Sequence, residues 1–138
     1  MPRSESSISG PIGDLPPGFD ALLGARFDEV GPDGVKISLE VRPDLLQPHG
    51  IVHGGVWCSL VETAASVAAA HWYGDRGRVV GVSNHTDFLR AIDDGTVTAV
   101  ASPIHRGRLQ QLWLVEIRDA ATRLIARGQV RIQNLAKG

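Results

Sequence analysis

Val35, Ile37, Leu39 and Val41 alternate with Lys36, Ser38, Glu40 and Arg42, the period of two expected of a strand with one buried face. The pattern predicts strands at residues 25–30 and 34–42, joined by the turn Gly31-Pro32-Asp33-Gly34, after a short helix at residues 19–23 that Gly24 ends. Residues 42–50, with two prolines, are a loop. The character then changes. From His53 to about Tyr73 there is no proline, no glycine after Gly55 and many alanines, which predicts one long helix, ended by the Gly74-Asp75-Arg76-Gly77 segment.

Everything beyond that segment is strand-like. Residues 78–90 are rich in valine, and residues 96–102 follow the turn Asp93-Asp94-Gly95. Residues 109–118 place Leu109, Gln111, Trp113, Val115 and Ile117 on one face. Residues 124–133 set Leu124, Ala126, Gly128, Val130 and Ile132 against Ile125, Arg127, Gln129, Arg131 and Gln133. Two strands, a long helix and four further strand segments with short connections make an α+β chain. A helix apolar nearly all round needs wrapping, and a curved antiparallel sheet provides it.

Composition narrows the classes. At 138 residues and 43% hydrophobic, the chain suits one domain that buries roughly two-thirds of its unfolded surface. A formal net charge of -1 offers no field to draw nucleic acid or anionic lipid. The single cysteine, Cys58, allows no internal disulfide, and a reducing, cytoplasmic setting is expected. Residues 1–18, rich in Ser, Gly and Pro, read as a flexible leader without a signal-peptide core, and residues 19–138 as the domain. The least polar stretch, residues 51–70, carries His53, Ser59, Glu62, Thr63 and Ser66, which makes it a poor membrane span.

At about 100° per residue, Ser59, Glu62, Thr63 and Ser66 share a helix stripe about 100° wide. Two readings fit its carboxylate: a Glu on the one wet face, or a carboxylate in a restricted polar slot, suited to base chemistry. The start of the helix bears on the choice. His53-Gly54-Gly55 puts two glycines at the first turn, where backbone can be approached closely and unpaired N–H groups favour an oxyanion. The glycines also suit a tight loop-to-helix turn alone. His53 and Glu62 are nine residues apart, about 13.5 Å along the axis and half a turn out of phase. Two antiparallel copies bring one chain's turn to the other's Glu62 more easily than one chain does, which predicts a site shared across a homodimer.

Gln47-x-x-Gly50-x-x-His53-Gly54-Gly55, followed by Glu62 and Ser66, resembles the hotdog-fold thioesterases of the phenylacetate-pathway and 4-hydroxybenzoyl-CoA type. The likeness covers roughly residues 35–133 and includes the segment from Asn84 to Arg90. It implies hydrolysis of an acyl-CoA-type thioester, with no cofactor or metal, by a dimer or tetramer. By position, Glu62 resembles the catalytic carboxylate, as general base or nucleophile. The Gly54 amide resembles the oxyanion donor, Gln47 the residue orienting water or carbonyl, His53 the residue shaping the turn, and Ser66 the hydroxyl assisting the carboxylate. Gln at 47 and Glu at 62, where many members carry Asn and Asp, resemble the Arthrobacter-type subgroup. Gly55, Asn84, His85, Arg90, Arg106 and Arg108 are substrate-binding candidates, the arginines for CoA phosphates or as solvated loop residues.

Other chemistry is weaker. His49 and His53 are four apart, but Pro48 and Gly50 break helical spacing and no third ligand follows closely. Cys58 reads as a core thiol, His85 and Asp87 as a polar pair on one strand face, and His71 as a cation favoured by the helix C-terminus. A hotdog dehydratase needs a His-based dyad in another loop context. A non-catalytic acyl-CoA-sensing module needs an output domain, which an 18-residue leader does not provide.

Overall fold

The computed structural model describes residues 18–138, so the expected leader lies outside the described residues apart from Gly18. In chain order the elements are α1 (Phe19–Leu23), β1 (Arg26–Gly31), β2 (Gly34–Glu40), α2 (Gly54–Tyr73), β3 (Gly77–Phe88), β4 (Thr96–Arg106), β5 (Gln110–Asp119) and β6 (Leu124–Ala136). Single 3-10 turns lie at Pro43–Leu45 and Gly74–Arg76. The six strands form one antiparallel sheet in the order β1-β2-β4-β5-β6-β3, the expected α+β wrapping of one long helix.

Alanine explains how α2 lies so close to the sheet. Leu60, Val61, Ala64, Ala65, Ala68 and Ala69 are completely buried, and small side chains let the helix backbone approach the inner face. Gly128 of β6 contributes to the same approach, since a Cβ there would lie 2.9 Å from a methyl of Val61. Opposite the helix stand Ile37, Leu39, Val97, Ala99, Trp113, Val115, Ile117, Val130 and Ile132. Their burial removes apolar surface at about 25 cal/mol per Å².

One polar cluster sits inside this core. Trp113 Nε1 donates to Gln111 Oε1 at 2.7 Å, and Gln111 Nε2 donates to Asn134 Oδ1 at 2.8 Å and to the Ala69 carbonyl at 3.3 Å. Asn134 Nδ2 donates to the carbonyls of Gly107 and Arg108. The amides are satisfied, so their burial is tolerated, and they pin the C-terminal half of α2 to β5, β6 and the β4–β5 turn.

Three strand expectations shift. β4 runs on to Arg106 through Pro103. Beyond Ala101 it has lost β2 as a neighbour and keeps only β5, so a residue without N–H is tolerated, and the register slips between Pro103 and His105. Leu109, expected on the buried face of β5, is 56% exposed in the turn before the strand. β2 stops at Glu40, and Val41 instead donates its N–H to the Gly95 carbonyl. No helix of the described residues is long and apolar enough to cross a membrane.

His71 differs from its expected role as a charged partner of the helix dipole. Burial lowers its pKa below the ordinary 6.5, and Nε2 has no hydrogen-bond partner among the described residues. The neutral ring brings the dipole no charge. Above pH about 6.5 neither folded nor unfolded chain protonates it. As pH falls below that value the unfolded chain takes up the proton first, so stability drops until the folded-state pKa is passed. Thermal melts of wild type should lose more stability between pH 7 and 5 than those of His71→Gln; parallel curves would show that His71 does not contribute.

Candidate active site

The loop before α2 doubles back on itself. Gln47 donates its N–H to the Ile51 carbonyl, Gly50 to the Gln47 carbonyl, and His53 to the Leu45 carbonyl. Gly50, at φ 85°, makes the reversal. The half-buried Gln47 side chain accepts from the His49 N–H. His49 itself is exposed, and no group of three or more potential metal ligands occurs among the described residues.

His53 is the N-cap of α2, and its Nδ1 accepts from the Gly55 N–H at 2.8 Å. That fixes the ring with its proton on Nε2. A Cβ on Gly55 would lie 2.8 Å from that same Nδ1, and a Cβ on Gly54 would lie 2.5 Å from the Phe88 ring. A side chain at either position would therefore require the Phe88 or His53 ring to shift. Their amides differ: Gly55 is held by the cap, whereas the Gly54 N–H has no partner among the described residues. It stands at the positive end of a 20-residue helix, where a developing negative charge is favoured.

Glu62 lies two turns further along, half-buried against β3. Its Oε1 accepts from Asn84 Nδ2 at 3.2 Å and its Oε2 from Ser66 Oγ at 3.3 Å. Asn84 Nδ2 also donates to the Cys58 carbonyl at 3.1 Å, and Asn84 Oδ1 accepts from Thr86 Oγ1 at 2.7 Å. Gly81 makes room, because a Cβ there would fall against Glu62 Oε2. No Lys or Arg pairs with Glu62 among the described residues. Neutral donors aim the carboxylate and leave it lone pairs for a proton or a carbon centre.

The polar stripe of α2 divides in space. Glu62 and Ser66 face β3, whereas Ser59 donates to the Gly55 carbonyl at 2.7 Å and Thr63 Oγ1 donates to Asp20 Oδ1 of α1, also at 2.7 Å. On that second side a groove of about 570 Å³ runs between α1 and the start of α2.

The structure brings together Glu62, Ser66 and Asn84, and separately His53, Gly54 and Gly55. The two groups are about 12 Å apart along the helix. Gln47 is in the loop leading to the turn. His85 and Asp87 pair at 3.5 Å on β3, both exposed. Arg90 follows Phe88, at the Gly54 end of the molecule. Arg106 lies at the other end, bonded to Asp33 Oδ1 at 2.9 Å and beside the Trp72 and Trp113 rings, and Arg108 is exposed in the adjoining turn. Sequence reasoning missed Thr86, Gly81 and the Thr63–Asp20 contact. Only Thr86, two residues after Asn84 on the same strand face, left a signal.

A family model described as the thioesterase superfamily matches residues 49–126. A Mycobacterium tuberculosis protein provisionally named an esterase is 57% identical over 120 residues, covering 85% of this chain and 86% of that one. Its solved structure superposes with a TM-score of 0.85 at 55% identity, over 86% of this chain and 97% of that chain. The 1,4-dihydroxy-2-naphthoyl-CoA hydrolase of Escherichia coli is 33% identical over 103 residues, 75% of this chain and 76% of that one.

The capping geometry makes its own prediction. His53→Ala frees the Gly55 amide, so hydrogen exchange at Gly55 should speed up and stability should fall by about 1 kcal/mol. Unchanged exchange at that amide would contradict the capping role.

Proposed function

The chain belongs to the thioesterase superfamily, and from that premise we propose that it hydrolyses an acyl-CoA-type thioester to a free acid and the CoA thiol, in a site shared by two copies of the chain. The observation that carries this reading is the pairing of an unpartnered amide at a helix start, Gly54, with a carboxylate, Glu62, held only by neutral donors. Thioester hydrolysis needs both. The carbonyl oxygen gains negative charge as the tetrahedral intermediate forms, and one well-placed N–H stabilises it by about 3 kcal/mol. Glu62 takes a proton from the attacking water or adds to the carbonyl as a nucleophile. Collapse of the intermediate breaks the C–S bond: on the base route the thiolate leaves with the proton Glu62 had taken, and on the nucleophile route it takes a proton from solvent and leaves an acyl–Glu62 anhydride, which water hydrolyses to the free acid. Ser66 and Asn84 aim the carboxylate, His53 holds the turn, and Gln47 orients water or the carbonyl. A CoA thioester, rather than a simple ester, agrees with the named substrate of the Escherichia coli relative. Arg90 is the arginine this reading assigns to the CoA phosphates, since Arg106 is engaged with Asp33.

The form of β3 supports the shared site. It ends the sheet with β6 as its only neighbour among the described residues, is exposed along most of its 12 residues, and presents Val80, Val82 and Phe88 to solvent. A long edge strand of this kind is a template for pairing. Within one chain, Glu62 rests on Gly81 while Gly54 lies under Phe88. Antiparallel pairing of two β3 strands centred between Asn84 and His85 sets Gly81 of one opposite Phe88 of the other. Glu62 of one copy then faces the partner's Gly54, across the gap that one helix cannot close.

Glu62→Ala should lower kcat for a panel of acyl-CoAs by about 10²–10⁴-fold without unfolding the chain; wild type no faster than the variant would defeat the enzyme reading. Sharing has a separate test. Glu62→Ala and Gly54→Pro, each inactive alone, should regain about a quarter of wild-type activity when refolded together in equal amounts, because half the dimers are mixed and each mixed dimer carries one intact site. A proline Cβ at 54 would meet Phe88 of the pairing strand, so size exclusion checks that the mixture is dimeric, and a dimeric mixture without recovery would place both groups in one chain's site.

A further inference from the structure

The groove on the α1 side of α2 takes no part in holding Glu62, yet it begins at the same turn. It is lined by His53, Gly55 and Ser59, by apolar residues that include Phe19, Leu22 and Leu45, and by the charged Arg42 and Asp44. Resting on the thioesterase reading above, the geometry points to this groove as the acyl pocket, taking an uncharged apolar acyl group larger than acetyl, with α1 as its specificity-determining wall.

Three observations support this assignment. First, its volume of about 570 Å³ falls in the range of small-molecule sites, roughly 300–1,000 Å³. Second, His53 and Gly55, the two neighbours of Gly54 in the turn, line the groove, so it opens beside the amide that would hold the carbonyl. Third, α1 is held in place although it cannot hold itself. Five residues are too few for a stable isolated helix. Thr63 Oγ1 on α2 donates to Asp20 at 2.7 Å, and the Arg42 guanidinium donates to the carbonyls of Leu23 at 2.6 Å and Leu22 at 2.7 Å. Gly24, at φ 92°, ends α1 in the left-handed region with Arg42 Nη1 only 3.0 Å from where a Cβ would stand. So anchored, α1 presents Phe19 and Leu22, 61% and 73% exposed, at the groove. Large apolar side chains on a tethered single turn bury little of their own surface, and an apolar ligand between them and Val56 would cover them.

The groove then sets selectivity by the size of its wall residues, and Asp20 is a positioning residue acting through Thr63. The test measures kcat/KM for acetyl-CoA, a medium-chain acyl-CoA and an aromatic acyl-CoA with wild type, Leu22→Ala, Leu22→Trp, Asp20→Ala and Asp20→Asn. The ratio of the larger substrates to acetyl-CoA should fall on the order of tenfold in Leu22→Ala and Leu22→Trp. Asp20→Ala should lower it through a raised KM with kcat kept, and Asp20→Asn, which retains an acceptor for Thr63, should restore it. Leu22 is exposed, so its variants do not threaten folding. Ratios unmoved in both Leu22 variants would overturn the assignment. So would a uniform rise in KM together with weaker inhibition by free CoA, which would place the pantetheine in the groove instead. Wild type that hydrolyses no thioester would overturn the activity and this inference with it, whereas hydrolysis with unmoved ratios overturns the inference alone.

Discussion

The burial of α2 against a single sheet governs the rest of the molecule. Ala64, Ala65, Ala68 and Ala69 are all fully buried, so the helix lies close to the strands with little room for adjustment. A close-packed core of this kind resists added volume, which is why glycine stands at 128 of β6. The same rigidity makes α2 a suitable platform: side chains along it are held at fixed heights and angles. The buried Gln111–Asn134–Trp113 cluster anchors the C-terminal half of the helix, so its N-terminal turn and Glu62 are positioned from a clamped end.

A helix so enclosed has few places for polar groups, and those near its N-terminal half each have a specific partner. Glu62 is held by an amide and a hydroxyl, Ser59 by a backbone carbonyl and Thr63 by Asp20. Neutral donors to Glu62 matter chemically. A Lys or Arg at hydrogen-bond distance would satisfy the carboxylate as an ion pair and occupy the lone pairs that the proposed reaction needs. The glycines belong to the same economy of space, since Gly54, Gly55 and Gly81 stand where a Cβ would strike Phe88, His53 or Glu62.

The sheet order has a second consequence. The chain passes from β2, next to one edge, through α2 to β3 at the opposite edge. The strand that supports Glu62 is thereby also the strand left open. Support of the carboxylate and the proposed association of two copies therefore depend on one element, whose exposed valines and Phe88 would otherwise be a liability.

Local patterns determined much of this. The absence of helix breakers from residue 56 to 73, the alternation in β2, β5 and β6, and the turn residues between them placed every element to within a few residues. The position of His-Gly-Gly at the helix start made the capped turn legible, because capping is a local property of backbone and adjacent side chains. Glu62 was legible as a lone carboxylate on an apolar helix. The tertiary structure decided which strand meets it. Asn84 and Thr86 are more than twenty residues from Glu62, and only β3 beside β6 brings them to it. The same holds for Asp20 at Thr63, and for Arg106, a candidate for CoA phosphates that the fold places beside Trp72, about 27 Å along the helix from Gly54. Pro103, one residue past the strand expected at 96–102, lies inside β4 because the neighbour that would have needed its N–H is absent there. Periodicity reports which face of an element is buried; which residues meet across the core depends on the order of the strands, which no local pattern encodes.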